Sequence, residues 1–404
     1  MTDQPLIARL ATHLQRPVPE YVRTRARLHL LDWLACVAGA RGSKFRAMSL
    51  RPYHGAEDWL GAVLEMDDVH REARLHPGPV IWPSALADNT MERVLDVAVV
   101  GYEAMICIGA SFDNYHYAHW HPTSTAGSFG AAAAFMGDAG PLDQETLLNA
   151  LAFAGTTTGG LWQTRHEGDD GKHFHNAKAI ANGSDAAGAA LKGLRGPMRI
   201  LEGPQGLYAA TCRDPKPMIL GPGWRIEEVS FKPWAACRHA HPAIDCALEL
   251  RAAGKLTAPY TLETYADALT FCDKPHPTTE TEAKFSLQHA VAVIADGRNA
   301  TPADFTPEAI AALSELRAQV TVAEATEITA RYPAHFGARL NGFELIDTRG
   351  DPERPVSEAD IVAKMHMLAA WGGLPASEAD RAADLALRGD DAGAIVAMLE
   401  EWLS

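Results

Sequence analysis

The 404-residue sequence is 47% hydrophobic and 22% charged, which is typical of a globular chain with a full apolar core and argues against disorder. Its length predicts two or three domains. The net charge of −15 argues against nucleic-acid binding, because neutralising phosphates requires a basic face. The first residues lack the basic start and apolar run of a signal peptide, and no apolar run approaches the ~20 residues that span a bilayer. We therefore expect a cytoplasmic protein without a membrane partner.

The first half of the chain has the patterns of a helical domain. Apolar periodicity predicts helices over three segments: 22–39, 91–108 and 176–192. A further helix is expected from Thr125, and its small residues at 131–134 allow neighbouring helices to approach closely. Another helix should begin near Pro141, with Asp143 capping its first backbone N–H groups. No strong strand signal precedes about residue 225, so this half is expected to contain helices only.

The second half mixes strand and helix patterns. Extended structure is expected over 261–271, 316–323 and 338–347, and a helix over 282–296. Asn341-Gly342 is a strong tight-turn signal inside the last of these segments. Helical patterns return after the charged segment 349–357. The sequence therefore predicts a mainly α protein, with a large all-helical domain over 1–228, a smaller α+β lid domain over 229–354, and helices over 355–404 that return to the first domain.

Two histidine-rich stretches of the first half carry candidate chemistry. In 64–78, acidic and basic residues surround His76, which is a candidate acid/base imidazole; the alternative is a solvated, charge-balanced loop. In 114–125, three histidines accompany Tyr117, a phenol that neighbouring cations would make a usable base. Zinc is the rival interpretation of this second stretch. However, the histidines lack the i, i+4 spacing of a zincin and no HExxH occurs, so no metal is expected.

Three later stretches add cations and further histidines. Lys172 lies in a basic patch at a helix start, where an anionic partner would be favourable; the alternative is an exposed lysine. The segment 231–245 supplies a second basic cluster at the expected domain boundary, where small ligands commonly bind. His289 follows in a helical segment and is as compatible with a helix-packing role as with ligand contact.

Missing motifs narrow the chemistry. The sequence has no GxGxxG after a strand, no GxxxxGK[ST] and no GxSxG. Nucleotide, flavin and serine-hydrolase chemistry are therefore not indicated, and no cofactor is expected. The remaining cations and proton-transfer groups suit a lyase or isomerase that binds carboxylates, stabilises an enolate-like carbanion and moves a proton.

These stretches, in this order, resemble the MmgE/PrpD family, which contains 2-methylcitrate dehydratase, cis-aconitate decarboxylase and iminodisuccinate epimerase. The resemblance runs over nearly the whole chain and rests on seven motifs: LHLLDWLACVAGA, HPGPVIWPSALA, GYEAMICIGAS, HPTSTAGSFGAAAAF, LNALAFAGTTTGGL, GKHFHNAKAIANGSDAAGAAL and FKPWAACRHAHPAIDCALEL. It implies a homodimer that acts on a small polycarboxylate without a metal or organic cofactor. It also implies an active site between the helical domain and the lid.

The resemblance also implies roles for individual residues. His76, His121, Lys172 and Lys232 match the family's active-site histidines and lysines. The segment before His76 is shortened, so the acid in the site is open among three residues: Asp68, which we favour, then Glu65, and Asp67. Cys237 and His289 stand where the decarboxylases have histidine and tyrosine, and the run CRHAHPAID looks most like the iminodisuccinate epimerase branch.

That branch uses two bases to remove and return a proton beside a carboxylate. Tyr117 and Lys172 are the candidate pair of bases in this sequence. The expected catalytic residues are Lys172, Tyr117, His76, His121 and His241. The expected substrate-binding residues are Asp68, Arg74, His119, Lys232, Arg238, His239 and His289. A dehydratase or decarboxylase acting on a citrate-like acid, and a catalytically silent anion-binding protein, are the alternatives.

Overall fold

The computed structural model describes residues 4–48, 55, 57–86, 89–138, 143–167 and 169–404. The described residues of the first half of the chain form ten α-helices: α1 Leu6–His13, α2 Glu20–Gly39, α3 Glu57–Leu60, α4 Gly78–Ala85, α5 Met91–Gly109, α6 Asn114–His119, α7 Pro122–Asp138, α8 Gln144–Thr157, α9 Gly171–Leu191 and α10 Leu207–Thr211. None of the described helices is both long and apolar enough to cross a bilayer.

The middle of the chain contains both element types. Its helices are α11 His241–Ala252, α12 Ala266–Cys272, α13 Glu280–Lys284, α14 Leu287–Ala295, α15 Pro307–Ala312, α16 Ser314–Arg317 and α17 Thr326–Thr329. Its strands are β1 Tyr260–Thr264, β2 Val320–Glu324, β3 Ala338–Leu340 and β4 Phe343–Leu345. Three helices close the chain: α18 Glu358–Trp371, α19 Ala376–Arg388 and α20 Gly393–Leu403. The prediction of a mainly α fold with a smaller α+β part is confirmed.

The chain divides into two compact units. The first, called the helical unit here, comprises Met1–Val63, Asp67–Val229 and Glu358–Ser404; the second, the mixed unit, comprises Leu64–Met66 and Ser230–Ser357. Unlike the sequence-based limits, this division assigns Leu64–Met66 to the mixed unit. The description of the mixed unit as a lid stays a prediction.

Close packing of α5, α7 and α9 organises the helical unit. A Cβ atom on Gly101 would lie 3.1 Å from the carbonyl oxygen of Gly130, and one on Gly183 would lie 2.4 Å from the Cβ of Ala131. Only small residues permit such separations, which confirms the predicted close approach. α7 begins at Pro122, one turn before the predicted Thr125, because proline suits the first turn of a helix.

Capping residues fix other helix boundaries. The side chain of Asp143 accepts a hydrogen bond from the backbone N–H of Thr146 at 2.9 Å, which confirms the predicted cap; Pro141 lies outside the described residues. The prediction of a single helix over 282–296 is wrong. The helical segment is broken at Ser286, whose hydroxyl accepts a hydrogen bond from the N–H of His289 at 3.0 Å and thereby starts a new helix.

The mixed unit is built on a four-stranded sheet in the order β2-β1-β3-β4. β1 pairs parallel with β2 and antiparallel with β3, and β3 and β4 form a hairpin in which Leu340 pairs with Phe343. Asn341 and Gly342 both have positive φ, 47° and 83°, as the predicted tight turn requires. Two predicted strands were too long: α12 replaces the end of the segment 261–271, and α16 replaces the start of 316–323.

Candidate functional site

A tight loop before α4 carries the first candidate residues of the helical unit. His70 and Leu75 form an isolated β-bridge across it, and Arg74 adopts a positive φ of 53° at its turn. Asp68, 3% exposed, anchors this loop. Its carboxylate accepts hydrogen bonds from the Gly78 N–H at 2.8 Å and the Tyr102 hydroxyl at 2.7 Å.

A third neighbour of Asp68 is His29 of α2, whose Nδ1 lies 2.9 Å from the carboxylate. Burial raises the pKa of Asp68 to about 6. A Cβ on Gly78 would lie 2.7 Å from Asp68, so glycine is needed there for this approach. These contacts tie the loop to α2, α4 and α5, which is the geometry of an anchoring residue.

The neighbouring carboxylate, Asp67, has different surroundings. It lies 2.8 Å from Nδ1 of His76, an ion-pair contact whose angle is not that of a hydrogen bond. The backbone N–H of His76 donates to the Thr123 hydroxyl at 3.0 Å, which ties this residue to the first turn of α7. Of the three acids that the sequence left open, Asp67 is thus the one that faces a candidate acid/base imidazole.

His121 immediately precedes α7 and is 2% exposed. Its ring stacks on Trp162 at 4.3 Å, and its Nδ1 lies 3.2 Å from Nδ1 of His175. Burial lowers the pKa of His121 well below its usual range. The side chains whose charges also act on this imidazole are those of His175, Lys172, His76 and Asp67. These five residues, with His121 at their centre, are called the imidazole cluster below.

A short segment over 158–162 holds Trp162 against His121. The Thr158 hydroxyl donates to the carbonyl of Thr125 at 2.6 Å, and the Gly160 carbonyl accepts from the N–H of His121 at 2.8 Å. Gly160 has φ of +110°, and a Cβ there would lie 2.7 Å from the Cβ of Ser124. Neither Trp162 nor the pairing of His175 with His121 was predicted, because both are contacts between elements distant in sequence.

The other residues of the second histidine stretch lie in separate environments. Tyr117 of α6 is half-buried, with the guanidinium carbons of Arg74 and Arg165 at 4.0 and 5.7 Å from its ring centroid. His116 is buried and stacks on Phe112 at 3.7 Å. His119 is exposed, and its Nδ1 lies 2.9 Å from the Tyr115 carbonyl oxygen.

Metal-ligand geometry occurs elsewhere in the described residues. Two groups of three residues have ligand atoms close enough for one ion: His13, Glu103 and Cys107, and His335, Asp347 and Glu353. Neither group contains a predicted site residue. In the first group, Glu103 already contacts His13 at 2.6 Å and Arg16 at 3.2 Å, so its charge is balanced by the protein's own side chains.

Charged candidates of the mixed unit are paired inside that unit. Lys232 is fully buried, and its Nζ lies 3.6 Å from the carboxylate of Glu65, a residue with a positive φ of 56°. Arg238 is buried and donates to Asp351, whose carboxylate also accepts from the Ser230 hydroxyl at 2.7 Å. Each cation therefore has a buried carboxylate partner.

The three candidate histidines of the mixed unit are buried and hydrogen-bonded. Nε2 of His241 lies 3.1 Å from the Ala236 carbonyl oxygen, and Arg238 approaches its Nδ1 at 3.4 Å. Nδ1 of His239 lies 2.8 Å from the Tyr265 hydroxyl, and its ring stacks on Phe271 at 4.8 Å.

His289 has the most complete set of partners. Its Nε2–H donates to the Asp304 carbonyl at 2.8 Å, and Arg317 donates to its Nδ1 at 3.2 Å. Burial lowers the pKa of His289 to about 4. Both ring nitrogens of His289 are therefore hydrogen-bonded within the mixed unit. These bonds favour helix packing over ligand contact, the two roles that the sequence left open.

The fold and the side-chain chemistry together define a class: a mainly helical protein whose helical unit carries several buried titratable groups. Residues 59–219 match the family model of the MmgE/PrpD N-terminal domain, and residues 234–390 match that of the MmgE/PrpD C-terminal domain. The chain belongs to the MmgE/PrpD family. The family consists of dehydratases, decarboxylases and epimerases, so the chain is an enzyme of this general type. None of the curated proteins matches the chain.

Proposed function

We propose that the protein is a cofactor-independent acid/base enzyme that acts at the carbon beside a carboxylate in a small polycarboxylic acid, as an iminodisuccinate-type epimerase. The observation that carries this proposal is the imidazole cluster of the helical unit. There, a buried neutral imidazole, a lysine and a carboxylate lie within electrostatic reach of one another.

Removing a proton beside a carboxylate creates an enolate with additional negative charge. Such a step needs a base near neutrality and positive groups aimed at the developing charge, in a site of low dielectric constant. The lowered pKa of His121 keeps its imidazole neutral, so one ring nitrogen carries a proton while the other is able to accept one. Lys172, in the first turn of α9, supplies positive charge in the same cluster.

Epimerisation requires groups on both faces of the reacting carbon. We assign these roles to Lys172 and Tyr117, the candidate pair expected from the sequence. The two guanidinium groups of Arg74 and Arg165 over the Tyr117 ring support this assignment, because positive charge favours the phenolate over the phenol. The likeness of the run 237–245 to the epimerase branch supports the choice of reaction.

Roles in the mixed unit are assigned differently from the sequence-based expectation. His241 was expected to be catalytic, and Arg238, His239 and His289 to bind substrate; these roles stay predictions. Because each of these side chains already has a hydrogen-bond partner within the unit, we assign proton transfer to the helical unit alone. In the proposed enzyme, Arg74 and His76 hold the substrate carboxylates.

Proton NMR in D₂O tests this function with iminodisuccinate, 2-methylcitrate and cis-aconitate in separate samples. The proposal expects loss of the α-proton signal of iminodisuccinate while its carbon skeleton stays intact. New vinyl signals from 2-methylcitrate, or release of CO₂ from cis-aconitate, would instead place the protein with the dehydratases or decarboxylases. No change in any sample would contradict action on these three acids.

Substitution of Lys172 separates an enzyme from an anion-binding protein of the same fold. In the proposed enzyme, Lys172→Ala lowers turnover by roughly 10²-fold or more, because it removes a group that acts in the transition state. A binder would show weaker anion binding and no turnover in either form. His166→Gln is the matched control, since His166 is an exposed side chain in the segment before α9.

A further inference from the structure

The contact between His121 and His175 joins the same atom of two imidazole rings. Their Nδ1 atoms are 3.2 Å apart, a hydrogen-bonding distance. A neutral imidazole carries one N–H, so one ring must donate through Nδ1 while the other accepts. The ring that donates then has an unprotonated Nε2, and the ring that accepts has a protonated Nε2. The tautomer of each histidine therefore fixes that of the other.

The two rings differ in burial. His121 is 2% exposed, whereas His175 is half-buried and responds to the charge of the exposed Asp169. Burial lowers the pKa of both histidines, which keeps the pair neutral near pH 7. The charged and titratable groups that act on the pair are Lys172, His76 and Asp67 on the His121 side and Asp169 on the His175 side.

Surrounding contacts hold both rings in place. Trp162 stacks on His121, and the Ser124 hydroxyl donates to the carbonyl of His175 at 3.3 Å. A Cβ on Gly160 would lie 3.5 Å from the His175 ring as well as against Ser124, so the chain passes closely over this pair. The arrangement is therefore fixed by packing from α7, α9 and the segment 158–162.

We propose that His175 is a positioning residue that couples with His121 in a two-imidazole proton relay between the imidazole cluster and solvent. This relay deepens the proposed function and rests on it for its catalytic role. A proton that arrives at Nε2 of His121 is matched by transfer of the bridging proton from Nδ1 of His121 to Nδ1 of His175. The Nε2 proton of His175 then leaves to solvent. One proton enters and one leaves, both rings stay neutral, and both tautomers invert.

Long-range ¹H–¹⁵N NMR of protein with ¹⁵N-labelled histidine tests the relay without any substrate. The resonances are assigned with His121→Gln and His175→Gln, and His166→Gln serves as the control. If the relay is present, the spectra near pH 7 should show a single Nδ1–H shared by the two rings. In His175→Gln, the ratio of the two tautomers of His121 should change. Two Nε2–H tautomers, or an imidazolium at either position, would overturn it.

Kinetics then separate a relay from a simple hydrogen bond. With whichever of the three acids is turned over, His175→Ala is expected to lower kcat/KM by roughly 10²-fold and to shift the pH profile, with partial rescue by added imidazole. His175→Gln keeps a hydrogen-bonding side chain but has no second protonation site, so it should be equally impaired. Full activity of His175→Gln would overturn the relay. If none of the acids reacts, the proposed function fails while the NMR result still decides whether the tautomers are coupled.

Discussion

Histidines of both units were candidate site residues by sequence, yet their partners in the structure differ. In the mixed unit, His241 and His289 donate to backbone carbonyls, and arginines approach their other ring nitrogens. In the helical unit, His121 instead contacts another imidazole, and His76 contacts Asp67. A histidine whose protons are committed to backbone carbonyls contributes to stability, whereas imidazoles that contact other titratable groups are suited to proton transfer.

Matched substitutions of one histidine from each unit test this comparison most strongly. His121→Gln is expected to lower kcat/KM by roughly 10²- to 10⁴-fold, because it removes a proton-transfer group, with a small change in unfolding free energy. His289→Gln is expected to destabilise the protein by about 1–3 kcal/mol, because it disrupts buried hydrogen bonds, with little change in kcat/KM. Urea unfolding and steady-state kinetics on both variants measure these effects. The reverse pattern would show that the roles of the two units were misassigned.

The adjacent carboxylates Asp67 and Asp68 sharpen the comparison within the helical unit. Asp67→Asn is expected to lower kcat/KM by roughly 10-fold or more, because it removes the charge beside His76. Asp68→Asn should cost about 1–3 kcal/mol of stability, because asparagine cannot accept all the hydrogen bonds made to Asp68. Kinetics and urea unfolding of the two variants distinguish them, and a larger kinetic effect for Asp68→Asn would restore the acid favoured from sequence.

Burial of a histidine and burial of a carboxylate make the stability of the folded chain depend on pH with opposite signs. The pKa of His289 falls from 6.5 to about 4, so the unfolded chain binds more protons between these values and stability falls as pH falls through this range. The pKa of Asp68 rises from 3.8 to about 6, so its ionisation lowers stability as pH rises between those values.

Substitution of His289 removes the contribution of this histidine to the pH dependence of stability. His289→Gln should reduce the slope of unfolding free energy against pH by up to about 1.4 kcal/mol per pH unit between about pH 4 and 6.5. Urea unfolding at about pH 5 and about pH 7 measures the slope, with the exposed His166→Gln as control. An unchanged slope would show that His289 does not remain neutral in the folded chain.

Two glycines of the helical unit extend the comparison from titratable side chains to backbone packing. Gly160→Ala should cost about 1–3 kcal/mol and lower turnover, because a φ of +110° and the contact with Ser124 force the segment that carries Trp162 to move. Gly188→Ala lies in the interior of α9, and no atom beyond its chain neighbours and the backbone of its own helix lies within 4 Å of the added Cβ. This variant should therefore be more stable by up to about 1 kcal/mol and have unchanged turnover. Thermal unfolding and kinetics compare them. Equal stability changes would refute the close-approach argument for Gly160.

Local patterns in the sequence were sufficient for much of the fold. Asp143 caps its helix and Asn341-Gly342 forms the hairpin turn, because both depend on side-chain and φ preferences of a few adjacent residues. The break at Ser286 was missed, because an apolar helical pattern continues through it and only the cap separates the two helices. At such a boundary the backbone can either continue the helix or be capped by a side chain such as that of Ser286, and the packing decides between the two.

The sequence by itself determined the helical and mixed regions, the family resemblance, and the stretches in which histidines, lysines and acids are concentrated. These features follow from periodicity, composition and spacing. Only the tertiary structure distinguished Asp67 from Asp68, paired His175 with His121, and gave His289 a carbonyl and an arginine as partners. The physical reason is that the protonation and role of a buried polar group are set by desolvation and by partners from other elements. Such partners come together only when the chain folds.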